Sequence, residues 1–354
     1  MTISELEALI CDGSTIDQAD LSGMDFRGAN LDNGRFESCR FDRADFSGLV
    51  LDRTGFRDCS FRESVFKGCS MTDLFIQQGD LSGADIEGAS FMRCQIAESK
   101  FNGANLEDAK IHWSNWNNCD FTGTSLRGAD LFKDFITECL FAGADMGGAE
   151  VQRVSFDRSD LRGVILKHAR MCKVLLAGAD LTCQDLSGQK LQEINFSGAI
   201  LKQANMSGAD LSFSVLPGAL LDGADLREAV VQNTMLQRAS LRMAKAGRSD
   251  FSNSFLGEAD LGGADFRGAA LRMSRMSKAN CRGAIFLGAD CSHADFSHAD
   301  LTAADFERAN LYMAVMHATK LEHTNLLGAN TLLMKGTDKE LEEAENWKPA
   351  VKRT

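Results

Sequence analysis

The sequence predicts an all-β fold: one long solenoid of short extended segments, closed by a small helix at each end. Three observations carry that prediction. Every residue whose number ends in 1 or 6 is apolar from Ile16 to Leu326, a run of 63 positions with no insertion or deletion. Small residues dominate two places earlier, as at Ala19, Ala29, Ala44, Ala84 and Ala104. Most glycines follow two places later, as at Gly23, Gly28, Gly48 and Gly68.

The first element, over residues 1–13, is expected to be a capping helix. Thr2-Ile3-Ser4-Glu5 has the spacing of a capping box, and Gly13 supplies a stop. The solenoid follows over residues 14–330. A period of five matches neither a helix nor a plain strand. Within each unit, though, the small and the large apolar residue are two apart, so both face one side of an extended step. The next pair must turn the chain, and glycine permits the positive φ such a turn uses. Step and turn repeated make a coil, and stacked coils satisfy each other's backbone groups. Residues 331–354 form the closing cap and tail. Thr337-Asp338-Lys339-Glu340 reads as a second capping box, opening a helix to about Trp347 that Pro349 stops. Open coil edges recruit other chains, which is why both ends need cover.

The units Ala19-Asp20-Leu21-Ser22-Gly23, Ala209-Asp210-Leu211 and Ala264-Asp265-Phe266-Arg267-Gly268 resemble the A(D/N)LXX repeat of the pentapeptide repeat family. The resemblance implies a right-handed quadrilateral β-helix with four pentapeptides per coil. On that pattern the chain makes about 16 coils and, at roughly 4.8 Å per coil, a rod on the order of 75 Å long with a filled interior. It also implies that the C-terminal helix dimerises some members, so monomer and dimer both stand.

Composition narrows the function. An apolar content of 44% suffices for a core and argues against disorder. The eleven cysteines include no CxxC pair, and Met1 to Gly13 lacks the charge and apolar run of a signal peptide. No stretch approaches the roughly 20 apolar residues needed to cross a bilayer. A cytoplasmic protein with reduced thiols is expected. The net charge of −12 divides into −13 over residues 1–150 and +1 over residues 151–354. An acidic first part repels nucleic acid, so direct binding to it is not expected.

Candidate chemistry is sparse. There is no phosphate loop in context, no nucleophile with a base and no metal-ligand spacing, so no catalytic, cofactor or metal residue is assigned and no cofactor is expected. Cys39, Cys59, Cys69, Cys94, Cys119 and Cys139 occupy the small inward position and read as buried apolar groups. His293, His298, His317 and His323 fall mostly at outward positions and read as surface residues. The Asp25, Asp45, Asp85 and Asp145 column is supplied by the repeat itself and reads as structural. Arg162, Lys202, Arg242 and Arg282 share another column, read as a solvated face.

Outward aromatics are the exception. Trp113, Phe132 and Phe135 gather around Asp134, a carboxylate at an inward position where burial is costly without hydrogen bonds. Val215, Met235 and Phe255 stack in one column with Phe213 close by. Apolar residues on a polar face mark binding hot spots, so these seven are the candidate protein interface.

The expected role is a non-enzymatic scaffold that binds another protein. From the resemblance alone, long uninterrupted arrays accompany bacterial secretion machinery, including type VI systems, as adaptors or chaperones. The alternative implied by the resemblance is a DNA mimic that binds DNA gyrase or topoisomerase IV. Magnitude weighs against it. Duplex DNA carries roughly 20 charges over the ~34 Å expected for residues 14–150, against a net −13 for residues 1–150, spread over four faces.

Overall fold

A computed structural model describes residues 1–347; Pro349 lies outside them. The chain divides into two compact units, Met1–Asp185 with Glu193–Ile200, and Leu186–Gln192 with the chain from Leu201 onward.

In the first unit, helix α1 (Ile3–Cys11) opens on the expected capping box. The Thr2 hydroxyl accepts from the Glu5 N–H, and the Glu5 carboxylate accepts from the Thr2 N–H at 2.8 Å. Leu6 is buried beneath the helix, and Gly13 leaves it at φ +71°. Three-residue strands then build two parallel sheets. One contains β1 (Thr15–Asp17), β2 (Arg35–Glu37), β4 (Gly55–Arg57), β6 (Phe75–Gln77), β8 (Gln95–Ala97), β10 (Asn115–Asn117) and β12 (Phe135–Thr137). The other contains β3 (Val50–Asp52), β5 (Ser70–Thr72), β7 (Ser90–Met92), β9 (Lys110–His112), β11 (Asp130–Phe132), β13 (Glu150–Gln152) and β14 (Arg170–Cys172). Every paired residue lies twenty away in sequence, as in Thr15 with Arg35 and Arg35 with Gly55. Twenty residues are four five-residue units, so the coil fits the right-handed quadrilateral form. The ladder through Thr15 runs unbroken to Asn195.

The second unit has the same register, without extended strands among the described residues. Single bridges link Lys190 to Asp210 and continue every twenty residues to Asn330. It closes on α2 (Lys339–Asn346), whose N-cap is Asp338 rather than the Thr337 read from sequence. Its carboxylate accepts from the Glu340 and Leu341 N–H groups at 3.0 and 3.2 Å.

The interior follows from the five-residue pattern. In the first unit Phe26, Phe46 and Phe66 stack at 4.8 and 4.5 Å between ring centroids. In the second, Phe266, Phe286 and Phe306 stack at 5.3 and 4.5 Å. The six cysteines at the small inward position are buried, as expected, and burial pushes the Cys69 and Cys94 thiols up to about 11. The void among Leu51, Phe56, Phe61 and Phe66 is only about 10 Å³, too small for any ligand beyond a water.

Apolar cover fails at the end of the ladder. Met316 is buried, but Leu321 is exposed, and Leu327, Leu332 and Leu333 stand in solvent.

Candidate protein-interaction surfaces

The motif aspartates are turn-formers. Asp20 accepts from the Ser22 N–H at 3.1 Å, Asp80 from Ser82 at 3.0 Å and Asp250 from Ser252 at 2.9 Å. Each carboxylate thus holds the turn that follows it. The arginines of the basic column are likewise engaged locally: Arg162 pairs with Asp160 at 2.5 Å, Arg242 with Asp260 at 3.1 Å and Arg282 with Asp300 at 3.3 Å.

The aromatic cluster divides across a corner of the coil. β9 and β11 are neighbours in register, which sets Phe132 beside His112. Phe132 meets the His112 and Trp113 rings edge-on, each at 5.9 Å. The Lys133 ammonium sits 3.9 Å from the Trp113 ring centroid and 5.1 Å from that of Phe132. Half of Trp113 remains exposed, while Phe132, expected to point outward, is half-buried by these partners. Phe135 lies beyond Asp134 on β12 and is 61% exposed. Among the described residues it makes no ring contact with the other two. Its own ladder continues through Ser155 to Leu175, which is also exposed.

Asp134 turns inward between the two halves and is 1% exposed. One oxygen accepts from the Ser114 N–H at 2.8 Å, and the other has no hydrogen-bond partner. Burial, only partly offset by that bond, pushes its carboxyl up to about 8. At neutral pH the group is mostly protonated.

In the second unit Val215, Met235 and Phe255 bridge in one ladder, as the spacing of twenty predicts. Met235 is exposed; Val215 and Phe255 are half-buried. The Arg275 guanidinium covers the Phe255 ring at 5.0 Å, a partner that sequence reasoning missed although it is the next rung. Phe213 is 61% exposed and holds φ at 62°, where bulky side chains are uncommon.

The histidines need a correction. His317 is 4% exposed, not a surface residue, because α2 and its approach cover it. Its Nδ1 accepts from the Asp338 N–H at 3.1 Å, and its Nε2 lies 3.3 Å from Glu345. His298 also reaches Glu345 at 3.3 Å. The trio brings three ligand-type atoms within 4.8 Å of one another. Nδ1, as acceptor, leaves the neutral ring's proton on Nε2, the atom a metal would need unprotonated. The geometry therefore describes a hydrogen-bonded clasp on α2.

No helix among the described residues is long and apolar enough to cross a membrane. The family model described as Pentapeptide repeats (8 copies) matches residues 10–48, 39–74, 80–112, 104–131, 137–178, 176–212, 204–242, 247–280 and 274–312. Among solved structures, HetL is similar, a pentapeptide repeat protein involved in heterocyst differentiation regulation from the cyanobacterium Nostoc sp. strain PCC 7120. It is 20% identical over 94% of this chain and 98% of its own, with a TM-score of 0.22. Full-length QnrB1, a plasmid-mediated fluoroquinolone resistance protein, is 19% identical over 72% of this chain and 92% of its own, with a TM-score of 0.26. Rfr23 from the cyanobacterium Cyanothece 51142 is 24% identical over 44% of this chain and 84% of its own, with a TM-score of 0.13. No curated protein sequence matches.

Proposed function

The chain belongs to the pentapeptide repeat family, and on that premise we propose that it is a non-enzymatic scaffold binding another protein through its outward aromatics. One observation carries the reading. Trp113 and Phe135 are half or more exposed, and they are the aromatic members of a set of exposed apolar side chains in the first unit that also holds Val50, Leu140, Ile165 and Leu175. Aromatic groups in that setting are the usual anchors of protein contact. Lys133 over the Trp113 ring adds a charge at the same spot. The Phe213, Val215, Met235 and Phe255 group is a second contact surface of the same kind. The proposal keeps residues 14–330 as one solenoid of about 16 coils, capped by residues 1–13 and 331–354.

The test is Phe132→Ser with Phe135→Ser. Partner binding should fall by tenfold or more for each anchor of about 2 kcal/mol, with the melting temperature little changed. Unaltered binding would reject the surface. The finer reading, a cytoplasmic adaptor or chaperone for a secretion system such as type VI, is tested by whether such a component is the protein captured.

A second reading is DNA mimicry toward DNA gyrase or topoisomerase IV. The charge of −13 over residues 1–150 is what favours it. Purified gyrase subunits binding with strong salt dependence would replace the scaffold by this reading. Dimerisation is part of the proposal: the exposed Leu327, Leu332 and Leu333, with Leu341 and Trp347 on α2 and beside it, form an apolar end that a second copy would cover. A monomer mass by light scattering, at concentrations well above micromolar, would remove that part.

A further inference from the structure

We propose that a recess in the first unit, floored by Gly55, binds a small oxyanion, a phosphate or carboxylate, carried on a flat apolar body. β2, β4 and β6 pair in register, so Arg35, Gly55 and Phe75 form one outward ladder and Glu37, Arg57 and Gln77 the next. The first ladder therefore lacks one rung. A Cβ built at Gly55 would meet nothing within 4 Å. Nor does the backbone there have a positive φ, so the turn geometry does not require glycine. The result is a recess of about 500 Å³ between Arg35 and Phe75, with Arg53 and Arg57 on its walls. That is the size of a small-molecule site.

The charges around it are unevenly committed. Asp73 is held by Arg93 through two hydrogen bonds of 2.8 and 2.9 Å. Arg53 pairs with Asp52 at 3.1 Å. Arg35 and Arg57 make no side-chain hydrogen bond or ion pair among the described residues, whereas Arg27, Arg40 and Arg62 in the same unit are all paired. Glu37 is the one lining carboxylate without such a partner. Two free guanidinium forks facing one recess suit an oxyanion, which each can engage through two N–H groups. The Phe75 ring beside them suits a flat group filling the missing rung. Glu37 and the acidic surroundings restrict the site to ligands that make these short-range contacts.

The experiment titrates the full chain with phenyl phosphate, benzoate and benzyl alcohol by isothermal calorimetry or NMR. At least one of the two anions should bind, at least about tenfold more tightly than the neutral alcohol; whichever anion is tighter identifies the oxyanion class. Arg35→Gln or Arg57→Gln should weaken it by about tenfold each, the worth of one charge-assisted contact. Gly55→Leu should fill the recess and abolish binding while the melting temperature holds or rises. Binding of neither anion, equal binding of the alcohol, or full affinity in Gly55→Leu or in both arginine variants would overturn the site.

Discussion

Asp134 is the residue whose chemistry departs furthest from its sequence context. Its carboxyl titrates near 8 in the folded chain, against about 3.9 when unfolded. A pKa raised on folding means that the unfolded state sheds its proton first as pH rises. Stability should therefore be highest below pH 4 as far as this group is concerned, fall between about 4 and 8, and level off above. The penalty at neutral pH is on the order of a few kcal/mol. Asp134→Ser should be more stable than the parent at pH 7 in urea unfolding, and the difference should shrink toward pH 4. A difference independent of pH would show that Asp134 is charged in the fold. Ala303 allows a second prediction at this scale. It is exposed and holds φ at 58°, so Ala303→Gly should stabilise by up to about 1 kcal/mol in the same assay. Sequence pattern could find Asp134, because it breaks a column of small residues. It could not show that the motif aspartates cap the turns that follow them, since that depends on where the backbone N–H points. Nor could it show that His317 is covered, which follows from the path of the chain from Lys335 into α2.

At the scale of the element, the ladder does the stabilising. Phe41 stacks on Phe61 at 5.0 Å and meets Phe36, Phe46 and Phe56 as well, fully buried. Phe41→Ala should cost about 3–5 kcal/mol, the range for emptying such a site. In an array whose units contact only their neighbours, that loss should first open the coils around it; hydrogen exchange would show fast amides near residues 36–61. Thr2→Ala should cost about 1 kcal/mol through the lost capping box, read as faster exchange in α1. Both ends show how far spacing reaches. Thr2 and Glu5 are three apart and form the box. Thr337 and Glu340 have the same spacing, but Asp338 takes the cap: its carboxylate accepts from the Glu340 and Leu341 N–H groups, while the Thr337 hydroxyl accepts from the Ala318 N–H. The ladder of twenty was legible from numbering alone, once the resemblance supplied four units per coil. Phe255 with Arg275 and the gap at Gly55 are legible from residues twenty apart, and Phe135 with Leu175 from residues forty apart, with Ser155 between them. Each depends on what stands, or is absent, on the neighbouring rungs, which the size of one side chain does not reveal.

Over the whole molecule, a five-residue pattern that specifies a backbone so completely leaves little sequence for anything else. The inward positions are committed to packing and the aspartates to turns, so function falls to the remaining outward side chains. Few of the exposed ones are aromatic, and on that scarcity the scaffold reading rests. Net charge adds less, because most of the acidic groups that produce it are already bonded to backbone N–H groups or arginines on the same surface. The most direct test is affinity capture from the native host, read by mass spectrometry, with the wild-type chain and the Phe132→Ser/Phe135→Ser variant side by side. The account predicts a specific protein retained by the wild type and lost with the variant, at unchanged melting temperature. Gyrase or topoisomerase IV subunits retained equally by both would contradict it and put the acidic surface, not the aromatic one, at the centre of the function.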